Sequence, residues 1–294
     1  MDKNLFSGLE NLGIDNIDDI GLFNTPEEKI DKLEAKKIEL SLIEKQKTHI
    51  FDKEVKCPVC AHDFKVKIVK SSSQRIKKKH SDFCVDYDVI NPYFYDVWLC
   101  NYCGYSNMKA DFGKIKEYQK ALISLKVTSK WQGKTYPEVY DVAIAIERYK
   151  LALYNCVVIE SVSSRKAMNC LKIAWMYRLT QDKDNEFLFL SEAIKGFNDA
   201  FVNESTPIYG MNNGTLMYLI GELYRRVNDF DNANLWFSKL ITSNNAEQKI
   251  KEMSRTQRDL IKEVQRNNKK DELEAQGEDE RKNEKKGFFS RFFN

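Results

Sequence analysis

Two Cys-x-x-Cys pairs, Cys57/Cys60 and Cys100/Cys103, restrict this chain more than any other feature of it. A two-residue spacer lets a tight turn aim both sulfurs of a pair the same way, and two such turns give four soft ligands for one tetrahedral ion at about 2.3 Å. The chain must then leave one turn and return to the other. Thirty-nine residues separate Cys60 from Cys100, more than the usual spacing of about 15–20, so an insertion has to be folded between the knuckles. Four cysteines fill the coordination sphere and leave no position for water, which predicts a closed structural site. Zinc suits such a set best, and rubredoxin-like iron is the alternative on the same ligands. In the turns themselves, Pro58 stiffens the first and Gly104 follows the second; Ala61 stands where the first knuckle would also favour glycine.

The remaining cysteine usage agrees with a reducing compartment, since seven is an odd number and more than half sit in metal-type spacing. The opening residues mix apolar side chains with acids and do not form a secretory leader. The longest apolar stretches, such as residues 152–159, fall far short of the roughly 20 residues a membrane-spanning helix needs. A cytoplasmic protein is expected. Its 47 basic and 44 acidic residues nearly cancel, so any case for nucleic acid or membrane has to be local.

Short strands are expected beside each cysteine pair. Residues 64–69 alternate with period two, and 93–99 form an aromatic and β-branched run after Asn91-Pro92. Helical periodicity dominates elsewhere. Thr25-Pro26-Glu27-Glu28 reads as a capping box for an amphipathic helix over 25–46, and further helices are expected over 140–158, 162–179, 186–201, 215–227 and 232–241. Met217, Ile220-Gly221 and Tyr224, then Ala233 and Phe237, match the tetratricopeptide helix-turn-helix pattern. A second copy runs through Leu171, Ala174, Tyr177, Ala193 and Phe197, with about seven extra residues placed in its turn. The small residues Ala174, Gly221, Ala193 and Ala233 allow close helix approach, and the aromatic partners fill the space beside them. Ile250, Met253, Gln257, Leu260 and Val264 predict a closing helix, and beyond Asn268 the sequence becomes a mixed-charge tail.

Two local charge features invite function. Lys65, Lys67, Lys70, Arg75, Lys77, Lys78 and Lys79 lie between the knuckles and would follow a phosphate backbone, with Arg75 and Lys77 to Lys79 the most concentrated. Asp82, Asp86 and Asp88 follow at once and no aromatic is interleaved, which favours a solvated loop. At the other end Phe288, Phe289, Phe292 and Phe293 beside Lys285, Lys286 and Arg291 suit a membrane surface or a partner groove. His62 and the pair His80 with Cys84 are the alternative metal ligands, and His80 with Cys84 is also the one thiol–imidazole combination to weigh as a nucleophile. Cys156 and Cys170 fall within apolar helical patterns and read as core. No phosphate loop, serine elbow or zinc-protease motif is present, so no enzyme framework is legible.

The chain resembles the bacterial family catalogued as domain of unknown function 2225. The likeness spans roughly residues 50–243 and rests on Cys57-Pro58-Val59-Cys60, Asp86-Tyr87-Asp88, residues 91–100, Cys103-Gly104-Tyr105, residues 174–178 and residues 218–226. It implies a metal-binding module joined to tetratricopeptide-like helices, with no activity to carry over. The expected fold is α+β and predominantly α. Its parts are an N-terminal arm and helix over 1–49, a zinc-ribbon-like module over 50–112, a helical-hairpin array over 113–270 and a charged tail over 271–294. The expected function is non-enzymatic: a metal-fixed scaffold for protein or peptide interaction, with a nucleic-acid-binding regulator or an iron redox protein as alternatives. Arg178, Glu222, Arg225 and Arg226 would either clamp a partner's carboxylates or pair between neighbouring helices.

Overall fold

The computed structural model describes residues 37–38 and 40–269. The chain divides into two compact units, residues 1–49 and 50–294. In the first, the described residues are helical as far as 47, which covers the end of the helix expected over 25–46; its capping box and the preceding arm lie outside the described residues. The mixed-charge tail and its four phenylalanines lie outside them too. Among the described residues no helix is long and apolar enough to cross a membrane.

The second unit opens with three antiparallel hairpins, β1 (Ile50–Lys56) with β2 (Asp63–Val69), β3 (Ile76–Lys79) with β4 (Val85–Tyr87), and β5 (Val97–Leu99) with β6 (Ser106–Met108). Strand β2 follows the alternation at its start, with Phe64 and Val66 buried and Lys65 facing out, and leaves it at its end, where Ile68 is half-buried and Val69, of opposite parity, is buried. The run 93–99 departs from expectation. Its first part, Pro92–Tyr95, is a turn of 3₁₀ helix and strand begins only at Val97. Asn91 is the cause: its side chain accepts a hydrogen bond from the Tyr93 N–H while Pro92 fixes φ for a helical first turn, and together these outweigh the β preference of the aromatics. The insertion also differs from a solvated loop, because residues 76–87 pair as β3–β4 with a bulge between Ile76 and Lys78.

Helices complete the unit: α1 (Glu117–Lys126), α2 (Val142–Val158), α3 (Ser163–Leu179), α4 (Lys183–Asn203), α5 (Asn213–Arg226) and α6 (Phe230–Thr242), then a helical run over 248–269. The result is a mostly helical α+β fold in which small β hairpins precede packed helical hairpins. The turns α3–α4 and α5–α6 are the same object built twice. Each has a left-handed residue, Gln181 or Asn228, and each closes with an N–H to C=O bond five residues back, Asp182 to Tyr177 and Asp229 to Tyr224. Each next helix is capped by that aspartate, which accepts from the backbone of Asn185 or Asn232. The seven extra residues of the first copy are therefore not in its turn. They lengthen α4 at its start, and two helical turns of about 3.6 residues each keep Ala193 and Phe197 on the inner face.

The β hairpins are tied to the helices by buried polar groups as well as by apolar packing. Val97 and Met108 join the core formed with Ala145, Tyr149 and Ala152 of α2. Asn155 of α2 donates to Ser106 Oγ at 3.0 Å and accepts from the Ser106 N–H, which satisfies both ends of a fully buried amide. Helix α5 approaches α6 so closely that a β-carbon at Gly221 would lie 2.8 Å from the Phe237 ring. Gly221→Ala should lower stability by about 1–3 kcal/mol through overpacking, read as a reduced denaturant midpoint at unchanged slope.

Candidate metal centre

The first cysteine pair lies in the turn joining β1 to β2 and the second in the turn joining β5 to β6, so two hairpin tips meet. All four Sγ atoms lie within 4.8 Å of one another. Cys57 Sγ is 3.6 Å from Cys103 Sγ and Cys60 Sγ is 3.6 Å from Cys100 Sγ. A tetrahedron of sulfurs at zinc or iron bond length has edges of about 3.8 Å, so the donor set fits one such ion. Cys57, Cys100 and Cys103 are buried and Cys60 is half-buried.

Both knuckles use one backbone design. Cys57 N–H donates to His62 O and Ala61 N–H to Cys57 O; in the second, Cys100 N–H donates to Tyr105 O and Gly104 N–H to Cys100 O. The design requires a left-handed residue just after the second cysteine, met by Ala61 at φ 61° and Gly104 at φ 74°. Gly104 has a further reason to lack a β-carbon, since Trp131 covers it and an added Cβ would sit 2.8 Å from the indole. The Trp131 indole Nε1–H donates to Asn101 O and the Thr128 hydroxyl to Cys103 O, so the segment after α1 clasps this knuckle. Among the described residues His62 belongs to no ligand cluster; its ring stacks on Tyr102 of the opposite knuckle with centroids 4.5 Å apart.

Crowding decides the protonation of the metal-free sulfurs. Hydrogen bonds from Cys100 and then Cys103 favour a Cys57 thiolate and pull this thiol well below the usual range. Cys100 is pushed up to about 12, because its bond with Cys103, which favours ionisation, is outweighed by the thiolate-like Cys57 and by burial. The Cys103 thiol is raised further by hydrogen bonds with Cys100 and Cys57 and by burial.

The other sequence candidates are placed elsewhere. Arg75, Lys77, Lys78 and Lys79 are exposed on and beside β3, and the structure does not bring them to the sulfurs. His80 turns its ring to Asp86, with Nε2 2.8 Å from Oδ2, whereas Cys84 is buried and pushed up to about 12 by burial and the Asp82 carboxylate. That thiol is far from a nucleophile's ionisation range. Cys156 and Cys170 are core residues.

Arg178, Glu222, Arg225 and Arg226 converge on a feature that was not read from the sequence. The tip of the β3–β4 hairpin, Ser81-Asp82-Phe83-Cys84, enters the helical array, and Asp82 is fully buried there. Arg178 Nη2 donates to Asp82 Oδ2 at 2.7 Å, Trp175 Nε1 donates to the same oxygen at 3.0 Å, and Arg226 Nε lies 3.4 Å away. Glu222, equally buried, accepts from Arg225 at 2.7 Å, from Arg226 at 2.8 Å and from the Ser81 hydroxyl at 2.6 Å. Arg178 also bonds Glu186 at 2.6 Å. Of the two readings of these charges, the intramolecular pairing is the one in place: their carboxylate partners come from this chain. Burial would raise the Asp82 carboxyl, but the Arg226 and Arg178 guanidiniums outweigh it and hold it below the usual carboxylate range. The one sequence signal was an acid followed by Phe83 and Cys84 within an otherwise basic, soluble-looking stretch.

Two expectations follow. Ala61→Gly should stabilise the protein by about 0.5–1 kcal/mol by relieving a left-handed alanine, while Gly104→Ala should cost about 1–3 kcal/mol, both read from thermal midpoints. Asp82→Asn should cost about 1–3 kcal/mol by removing the charge from its bonds to Arg178 and Arg226, which keep Glu186 and Glu222 as partners. Because the folded Asp82 carboxyl titrates below its unfolded value, its contribution is whole above about pH 4 and is lost as pH falls through the folded value. The variant should flatten the acid limb of stability against pH.

No curated protein and no solved structure matches this chain. A family model does match, over residues 50–261, which carries the likeness past residue 243 into the final helical run. The chain belongs to that family, described as uncharacterized proteins conserved in bacteria, domain of unknown function 2225.

Proposed function

We propose that this protein is a non-enzymatic scaffold in which one zinc ion fixes the β hairpins and the helical hairpins offer a surface to a protein or peptide. The observation that carries the metal half is the closed group of four sulfurs within 4.8 Å, presented by two knuckles of identical backbone design. A filled thiolate set with no open position suits a structural ion and leaves no place for substrate. Metal analysis of protein purified from its native host should give one zinc per chain and a colourless solution. A visible thiolate-to-iron absorption would assign iron instead. Cys57→Ser or Cys103→Ser should abolish metal retention and loosen the β hairpins, seen as new protease cleavage between residues 57 and 103.

The interaction half is supported by apolar residues that the fold leaves outside. Tyr154 and Val157, a turn apart on α2, are about half exposed at 48% and 58%. The charges of Arg178, Glu222, Arg225 and Arg226 are engaged within the chain, which moves the proposed partner surface away from them. Replacing Tyr154 and Val157 together by serine should remove cross-linked partners while leaving the melting temperature in place; retention of every partner would sink this surface.

One observation favours a second reading. Arg75, Lys77, Lys78 and Lys79 are exposed together, and among the described residues no carboxylate lies within ion-pair distance of them. Nucleic-acid binding through this hairpin predicts a salt-sensitive gel shift that vanishes when the three lysines become glutamate.

A further inference from the structure

A cavity of about 370 Å³ lies where the β hairpins meet α3, α5 and the loop between α4 and α5, well away from the knuckles. Its wall is largely apolar, with Met108, Met168, Leu171, Met211 and Leu219 among the lining residues. Set into that wall are two charges, Lys172 and Asp96. The Lys172 ammonium lies 3.8 Å from the centroid of Tyr93 and 4.7 Å from that of Trp175, so its nearest company is two aromatic faces. Its nearest carboxylate oxygen is Asp96 Oδ2 at 3.9 Å, too far for a hydrogen bond. Among the described residues that oxygen accepts only a long bond, 3.4 Å, from the Tyr149 hydroxyl. Asp82 also borders the cavity, but its charge is spent on Arg178 and Arg226.

An ammonium has three donors and a carboxylate about four acceptor sites; among the described residues neither group has a partner closer than 3.4 Å, and their side chains, 13% and 29% exposed, open onto the cavity. Burial keeps the Lys172 ammonium below the usual lysine range in spite of Asp96, which is the cost of leaving it so poorly bonded. The complement of this arrangement is a small molecule that carries a carboxylate and an ammonium close together on an apolar body. A plain fatty acid would leave Asp96 unanswered and a plain amine would leave Lys172 unanswered. The volume is at the lower end of the range for small-ligand pockets, about 300–1,000 Å³. We propose that this cavity binds a free apolar α-amino acid, with its carboxylate on Lys172, its ammonium on Asp96 and its side chain among Met108, Met211 and Leu219.

Titration calorimetry on the full-length, metal-loaded protein tests this with three probes that share one branched chain: L-leucine, isocaproate, which lacks the amino group, and isoamylamine, which lacks the carboxylate. L-Leucine should bind one molecule per chain, and each truncated probe should bind about tenfold more weakly or worse, as expected for loss of one charge-assisted hydrogen bond. Lys172→Met should reduce L-leucine to the affinity of isoamylamine, and Asp96→Asn should reduce it to that of isocaproate. Isocaproate or isoamylamine binding as tightly as L-leucine would overturn the proposal, as would absence of L-leucine binding at millimolar concentration or an unchanged affinity in Lys172→Met. Should either variant fail to fold, the three probes on the unaltered protein still decide the matter.

Discussion

A carboxylate taken wholly out of water, Asp82, survives in this fold because two guanidiniums, Arg178 and Arg226, reach it from helices 96 and 144 residues further along the chain. Much of the architecture can be read as the means of bringing them there. The insertion between the cysteine pairs has to extend far enough to deliver its tip, which is why it is a paired hairpin and not a slack loop. Helices α3 and α5 both have to turn polar side chains to the hairpin tip so that Trp175, Arg178 and Arg226 face one point. Glu222 then steadies Arg225 and Arg226 while accepting from Ser81 of the same tip, so both strands of charge share one buried network.

The two knuckles flank that hairpin in sequence, in the turns β1–β2 and β5–β6. Their duplicated backbone bonding and the clasp from Thr128 and Trp131 make the sulfur cluster part of a packed body, with Tyr105, Phe112 and Ile159 behind it. The turns α3–α4 and α5–α6 show the same economy, one hydrogen-bonding scheme used twice with helices of unequal length between. In both cases the repetition lies in backbone geometry, and the side chains diverge around it.

What could be read from the sequence was whatever is encoded locally. Cys57, Cys60, Cys100 and Cys103 announce themselves by spacing, β2 by its alternation, and the helical hairpins by Gly221, Ala233 and Phe237 at fixed separations. Local reasoning failed where two local signals competed, as at Asn91-Pro92, whose cap turned an expected strand into a 3₁₀ turn. It also misplaced the seven extra residues, because two added helical turns preserve periodicity and so leave no mark of where they were inserted. Asp82, Lys172 and Asp96 were out of reach for a different reason. Each owes its character to partners distant in the chain, and a single sequence says nothing of which distant residues meet.

The placement of Asp82 inside the chain segment bounded by the knuckles has a thermodynamic consequence. Once the four sulfurs share an ion, residues 57 and 103 become the ends of a closed loop, 46 residues apart. In the chain-entropy description a closure of that size removes about 4 kcal/mol of unfolded-state freedom. An ion there would restrict, in advance, the space that Asp82 must search to find its guanidiniums, and docking of the tip would restrict the separation of the sulfurs in return. Metal occupancy and insertion of the hairpin tip would then be linked functions, each favouring the other.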